Sequence, residues 1–383
     1  MEIHVHDSLD AVDQHAWNAL NTDDSPFLSH EFLHALETCG CLGRDHGWYP
    51  RYFMLQDETG LIAACPTYIK TNSYGEFVFD WAWAEAYEQH GVSYYPKLIS
   101  SIPYTPAAGQ RLLCHPDHDH TQLAGLLRDA VLKFAEESQL SGVHWLFTDT
   151  RDTALLAETG LHLRMDCQYH WQNRGYGCFD DFLADCTAKR RKTLRRERRS
   201  VREQGLEISV RSGDSLSPLE WKTVHTLYTA TFDRKWSEAS LSQDFFLTAG
   251  RTLGERMVIV FAHQGGDVVA CAVLLRSRDT LYGRYWGCTK KFKDLHFELC
   301  FYQGIDYCIA EGLSRFEPGA QGEHKIMRGF VPTPTWSAHR LFHPGFNDAI
   351  GQYIHQERQL MEKRCESLHD LLPFKRDHKT SSV

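Results

Sequence analysis

Two stretches of the chain carry the same succession of apolar and polar periods. In the later one, residues 256–263 (RMVIVFAH) read as a strand, Gln264-Gly265-Gly266-Asp267 as a hairpin turn, and residues 268–276 as its partner. A third strand over residues 280–288 (TLYGRYWGC) follows a short turn. Asp294 is then placed to cap a helix over residues 296–311, with Phe297, Phe301, Ile305 and Cys308 on one stripe. Gly312 ends that helix, and residues 313–317 give a further strand. The earlier stretch repeats the order. It has strands over 51–56 and 61–70 around the turn at 57–60, a third strand over 76–83 (EFVFDWAW), a helix over 121–137, Gly142, and a strand over 143–147.

The spacing is unequal between the two copies. The hairpins lie 207 residues apart, whereas Gly142 and Gly312 lie 170 apart, so the first copy carries an insertion of nearly 40 residues, placed at 84–118. Much of it (GVSYYPKLISSIPYTPAAGQRLL, 91–113) interleaves Tyr94, Tyr95 and Tyr104 with prolines, which resist helix and central strand. This reads as an ordered aromatic loop, either a pocket wall or a cover for a sheet edge. The resulting domain plan is 1–172, then 173–345 opened by a basic helix at 183–204, a terminal helix at 346–373 and a disordered tail at 374–383.

Composition narrows the class. A chain of 383 residues with 42% hydrophobic and 24% charged content fits two globular domains. Its longest apolar run, residues 268–275, is far short of the roughly 20 residues that cross a bilayer. The first residues, MEIHVHD, do not read as a signal peptide, so a cytoplasmic protein is expected, with work at the inner membrane surface left open. The 12 cysteines form no C-x-x-C pair and are expected to be reduced. The tract His115-Pro116-Asp117-His118-Asp119-His120 is too tightly spaced for a good tetrahedral site, and no metal is expected.

Charge is the more informative property. Residues 189–202 (KRRKTLRRERRSVR) hold nine basic residues and one acid, which leaves −17 for the remainder of a chain whose net charge is −9. Leu183, Thr187, Leu194 and Val201 recur at helical spacing through this region. Such a helix is either solvated and paired with the acidic remainder, or an anion dock made by Arg191, Arg195, Arg198 and Arg199 for RNA phosphates or a lipid- or nucleotide-linked precursor.

The order hairpin, strand, helix, strand resembles the core of the acyl-CoA N-acyltransferase (GNAT-type) fold. The resemblance implies an α/β (α+β) fold class, with two tandem GNAT-like domains, each a mixed sheet flanked by helices. Duplicated in one chain and opened by a basic segment, it resembles the FemAB-like enzymes of peptidoglycan cross-bridge synthesis. The strings YYPKL (94–98), PYTP (103–106), YGRYWGC (282–288), HFE (296–298), RFEPGAQGEHK (315–325) and RGF (328–330) are similar to a bacterial family of N-acyltransferases labelled peptidoglycan biosynthesis/recognition. The resemblance implies an acyl or aminoacyl donor, acyl-CoA or aminoacyl-tRNA. It also implies an amine acceptor, such as a lipid- or nucleotide-linked cell-wall precursor, and chemistry in only one of the two copies; the glycine-spaced acidic loop of the second copy assigns catalysis to it and substrate recognition to the first.

N-acyl transfer needs a base for the attacking amine, donors for the developing oxyanion and a seat for the donor's carrier. For the base, Glu323 in its glycine-spaced loop and Glu298 one turn into the helix are the candidates, with His296 and His324 as relays and Tyr285 as proton donor. Gln321, Lys325 and Arg328 are candidates to bind the substrate, Arg328 through its planar fork. From the first copy, Tyr94, Tyr95, Tyr104 and Asp80 are expected to face the same cleft, roofed by 91–113. The loop before the helix offers Lys290, Lys291 and Lys293 for the carrier phosphates, but lacks the glycine-rich signature of acetyl-CoA enzymes. A different class stays open: a catalytically inactive duplicate that binds an anionic glycan, lipid or RNA.

Overall fold

Both repeats form, and each is longer than its periodicity shows. The structure, a computed structural model, describes residues 1–233 and 238–375. The first copy runs β1 (Glu2–His6), α1 (Gln14–Ala19), α2 (His30–Thr38), β2 (Trp48–Asp57), β3 (Gly60–Lys70), α3 (Trp81–Gln89), β4 (Lys97–Ser100), β5 (Leu113–Cys114), α4 (His120–Glu137), β6 (Gly142–Thr148), α5 (Thr150–Ala157) and β7 (His162–Gln172). After α6 (Phe179–Asp185) and α7 (Ala188–Glu203), the second copy begins with β8 (Glu207–Ser212), α8 (Pro218–Asp233), α9 (Gln243–Leu253), β9 (Met257–Gln264), β10 (Asp267–Arg276) and β11 (Thr280–Cys288). Next comes α10 (Leu295–Phe297), which passes through a π-helical turn (Glu298–Tyr302) into α11 (Gln303–Ala310). β12 (Arg315–Glu317), a 3-10 turn (Glu323–Arg328), β13 (Val331–Leu341) and α12 (Pro344–His369) complete the chain.

The pairing pattern is the same in both copies. β1 to β4 pair antiparallel in sequence, β4 runs parallel to β6, and β13 closes antiparallel on β6. Likewise β8 to β11 pair antiparallel, β11 runs parallel to β12, and β7 closes antiparallel on β12. Each sheet thus takes its last strand from the other half of the chain. The compact units are accordingly Met1–Asp166 with Pro334–Glu362, and Cys167–Thr333 with residues from Lys363 onward. This differs from a single cut at 172. The division passes through β7, β13 and α12, because backbone hydrogen bonds, not chain order, assign a strand to its sheet.

Local chemistry explains the elements. Asp13, Ser29, Asp119, Asp149 and Ser242 each accept a backbone N–H of the helix they precede. The β9–β10 turn places Gly265 and Gly266 at φ +61° and +93°, the left-handed backbone that a two-residue hairpin needs. Leu127, Val131 and Ala135 of α4 bury against Phe53, Cys65 and Trp145 in the first core. Leu299, Ile305 and Cys308 bury against Val260, Ala272 and Leu281 in the second.

Three elements depart from the sequence expectation. Residues 76–83 do not form a strand: Phe77 has φ +60°, and α3 starts at Trp81. The alternation there misleads because the polar Glu76 and Asp80 point inward onto Lys97 while Phe79 and Trp81 stay exposed. The third strand is β4, inside the stretch read as loop, so the extra length of the first copy falls on both sides of it. The basic helix at 183–204 is two helices, because Cys186 turns extended, bridges to Phe374, and Thr187 N–H donates to the Pro373 carbonyl. Phe374 is itself buried against Phe182, so it is core and not tail; the remaining tail, 376–383, lies outside the described residues.

Gly287 of β11 is required by packing. A Cβ there would lie 1.9 Å from the Leu227 carbonyl oxygen of α8, backbone that cannot rotate away. Gly287→Ala is expected to lower stability by at least about 1–3 kcal/mol, read as a fall in thermal midpoint.

Candidate functional site

The second sheet opens at one place. β11 pairs with β12 through Thr280–Arg315, Leu281–Phe316 and Tyr282–Glu317 only, and then the chains diverge. Gly283 permits this, since Pro318 Cα lies 3.1 Å from where its Cβ would be. The divergence leaves a cleft of about 340 Å³. Gly283 to Trp286 form one wall and Pro318 to Gln321 the other, with His296, Cys300, His324 and Lys325 closing it. All its lining residues belong to the second unit, and none comes from 91–113.

The first unit fills the matching gap with its own chain. Gly109 bridges in parallel to Thr148, where β4 would otherwise continue beside β6. β5 pairs with Ala63 and Ala64 of β3. Arg111, fully buried, donates to the carbonyls of Leu146, Ala107 and Gln110, while its N–H and that of Leu112 donate to Asp152. A guanidinium thus holds carbonyl groups that an open cleft would present to a ligand.

Arg284 and Lys325 are the cations that line the open cleft, and Lys325 is the buried one. It is 3% exposed, and its Nζ donates to the Gly319 carbonyl at 2.6 Å. Burial without a carboxylate partner brings its ammonium down to about 7. His296 stands edge-on to Trp286, with centroids 5.3 Å apart, and 6.4 Å from the ring of His324. Burial first, and then the neighbouring cations, bring His296 down to about 4; His324 is lowered by the same causes. The Cys300 thiol is pushed up by burial, which makes it a poor nucleophile. Glu317, at the root of the opening, is raised to about 7 by burial, with Arg315 Nε 3.1 Å away. It was legible in the string RFEP only as a strand residue.

Several sequence candidates lie elsewhere. Glu323 does not line the cleft: it pairs at 2.6 Å with Arg364, both about half exposed. Glu298 is buried under Arg198 and Gln303, away from the cleft lining. Arg328 forks onto Glu197, Nη2 to Oε1 at 2.9 Å and Nε to Oε2 at 3.2 Å, donates from Nη1 to the His324 carbonyl and stacks 3.4 Å over Phe297, so its donors are taken by structure. Tyr285 contributes to the wall, but its ring packs on Tyr228 and Phe246. Gln321 and Lys325 do line the cleft. Glu323→Gln is therefore expected to leave turnover within a few-fold and stability within about 1 kcal/mol, checked by steady-state rate and melting.

The aromatic residues of the first copy are also engaged. Tyr94 donates to Asp80 at 2.6 Å, Tyr95 shares a 2.7 Å bond with Ser73, and Tyr104 donates to the Cys41 carbonyl at 2.7 Å. Asp80 is bound by Lys97 and held down to about 2, with burial opposing and Lys97 winning. These four stabilise the first unit.

Of the basic residues, Arg191 donates to the Leu183 carbonyl and Arg195 pairs with Asp180. Arg198 pairs with Glu298 and Asp306. Arg195, Arg198, Arg199 and Arg202 line a second groove of about 450 Å³, in which Arg199 and Arg202 have no ion pair among the described residues. Gln204, just past α7, bonds both the N–H and the carbonyl of Lys293, which ties the basic helix to the lysine loop. Lys290, Lys291 and Lys293 are exposed and do not line the cleft.

Elsewhere, His115 lies 3.7 Å from Asp117, whereas His120 is buried at the start of α4 beside Asp152. No group of three or more candidate metal ligands gathers among the described residues, and all 12 cysteines are free. No described helix is long and apolar enough to cross a membrane.

Comparison with known proteins agrees with this architecture. FemX superposes with a TM-score of 0.55 at 9% identity, covering 92% of this chain and all of that one. A C-terminal domain (DUF2156) assigned to lysylphosphatidylglycerol synthetase, from Agrobacterium fabrum, gives 0.53 at 12% identity over 90% and 95% of the two chains. L-PGS from Bacillus licheniformis gives 0.51 at 13% over 87% and 98%. At such identities the likeness concerns the fold, a tandem GNAT-like arrangement. A search of curated protein sequences finds no match. The profile of the FemAB-like family, described as peptidoglycan biosynthesis/recognition, matches residues 8–376, and the chain belongs to that family.

Proposed function

We propose that the second unit transfers an acyl or aminoacyl group to an amine of a cell-envelope precursor. The observation that carries this reading is the opening between β11 and β12. A cleft where two parallel strands part, beside a buried lysine and two imidazoles, suits a carbonyl donor and an amine acceptor. The donor carbonyl lies against β11 where it parts from β12, and the backbone there supplies dipoles for the oxyanion. The acceptor nitrogen attacks the carbonyl carbon and the bond to the carrier oxygen or sulfur breaks. Neutral Lys325 takes the amine proton, and the leaving carrier atom receives a proton in turn.

The carrier is an acyl-CoA or an aminoacyl-tRNA. The arginines of the α7 groove and Lys290, Lys291 and Lys293 supply positive charge for its phosphates, a reading supported by the Gln204 tie between them. The test supplies acyl-CoA or aminoacyl-tRNA with nucleotide- and lipid-linked peptidoglycan precursors and follows the acylated product by mass spectrometry. Product from one donor class, lost with Lys325→Met, is the expected result. Tight retention of a donor or precursor with no product under any pairing would make this copy a binding module instead.

A further inference from the structure

The first unit holds a larger cavity that the transfer chemistry does not use. It measures about 680 Å³, within the ~300–1,000 Å³ usual for small-ligand pockets, and lies between α3 and the start of α12. Ala82, Ala86 and Ala349 contribute only small side chains to its lining, while Trp83, Phe346 and Ile350 form apolar walls. Three polar side chains, His90, His343 and Tyr353, reach its edge. His90 Nδ1 lies 2.8 Å from the Ala86 carbonyl, and Tyr353 donates to Glu357. No Asp, Glu, Lys or Arg lines it.

Next to it stands an unusual exposed surface. Tyr74, Phe79, Trp81 and Tyr353 are 70%, 48%, 45% and 45% exposed. Tyr74 and Trp81 meet edge to face at 5.3 Å. Arg164 donates to the Phe79 carbonyl and forks onto Glu357, the acceptor for Tyr353, which joins these rings to the cavity edge. Exposed Trp and Tyr rings suit the boundary between water and a bilayer, where one side of the ring is wet and the other apolar. α3 carries Glu85 and Glu88 and no basic residue, which disfavours an anionic headgroup.

We infer that the α3–α12 cavity takes one hydrocarbon chain of a zwitterionic membrane lipid, with Tyr74, Phe79, Trp81 and Tyr353 resting on the bilayer surface. A lining that is mostly apolar and holds no Asp, Glu, Lys or Arg selects a chain rather than a headgroup. The aromatic rim explains how a protein with no spanning helix among its described residues reaches that chain. This site belongs to the first unit and does not depend on the reaction assigned to the second.

The probe is palmitoyl lysophosphatidylcholine, used with the full chain and read by native mass spectrometry and calorimetry. One equivalent should bind. Ala86→Trp, which fills the cavity from α3, should weaken binding at least tenfold without lowering the melting temperature. Ala349→Phe on the facing helix reads the same property should Ala86→Trp fold poorly. Flotation with phosphatidylcholine vesicles should fall with Trp81→Ser and should not rise when anionic lipid is added. In the wild type, a photoreactive chain end should label peptides within 81–92 and 343–353. Failure of the lysolipid to bind, equal binding by the filled variants, or labelling elsewhere would overturn the inference. So would a wild-type dimer that Ala86→Trp dissociates, which would assign the cavity to a second copy.

Discussion

Lys325→Met should lower transfer by about 10²–10⁴-fold, the usual contribution of a positioned proton acceptor. The fold should survive, because among the described residues the Nζ of Lys325 has only the Gly319 carbonyl as its partner and methionine matches its stem without carrying a charge inward. The wild-type rate should rise as pH passes through about 7, where the lysine becomes neutral. Stability follows the same shift. Between about 7 and the ordinary value of 10.5 the unfolded chain holds the Lys325 proton and the folded chain does not, so this group's contribution improves as pH rises across that window. In Lys325→Met that contribution is absent. Lys325→Arg separates base from anion binder, because a guanidinium keeps its proton. Activity retained by the arginine variant would show that the residue holds an anion and that the base is another group.

Lys97→Met should produce the largest loss of stability, about 3–5 kcal/mol, measured by denaturant unfolding. Lys97 is fully buried between Glu76, at 2.8 Å, and Asp80. Removing it strands the Asp80 carboxylate in the interior. Asp80 keeps its charge in the pair, and its contribution, present above the ordinary 3.8, is lost as pH falls through about 2. Glu76 behaves oppositely. Burial raises it to about 7, so its contribution is present below 4.5 and fades as pH climbs through 7. Adding Glu76→Gln and Asp80→Asn to Lys97→Met should restore most of the lost stability, because neutral partners leave no uncompensated charge. A Lys97→Met protein as stable as wild type would show that the buried charges are not coupled.

The hairpins were legible because their signals are local. Apolar alternation around Gly265-Gly266 needs no partner elsewhere to be read, and neither does the stripe on α4. β4 was hidden for the opposite reason. Its four residues begin with a lysine that sits in the interior only because Glu76 and Asp80 reach it from 21 and 17 positions earlier. Glu323 and Lys325 show the same limit inside a site. In the string EHK both looked available, but a 3-10 turn rotates successive residues by about a third of a revolution. One side chain therefore faces Arg364 and solvent, and the other enters the cleft.

Sequence alone determined the duplicated order of elements, the family strings and the concentration of charge in α7, all properties of neighbouring residues or of composition. Tertiary structure decided which copy keeps an open cleft, since Arg111 fills one gap and Gly283 admits the other. It also decided which carboxylates are engaged and which strand closes each sheet. Those outcomes depend on pairings between residues distant in the chain, from Arg111 with Leu146, 35 positions apart, to Arg328 with Glu197, 131 apart, and β6 with β13. Burial and hydrogen-bond partners at that range are set by how the sheets assemble, and a linear pattern carries no record of them.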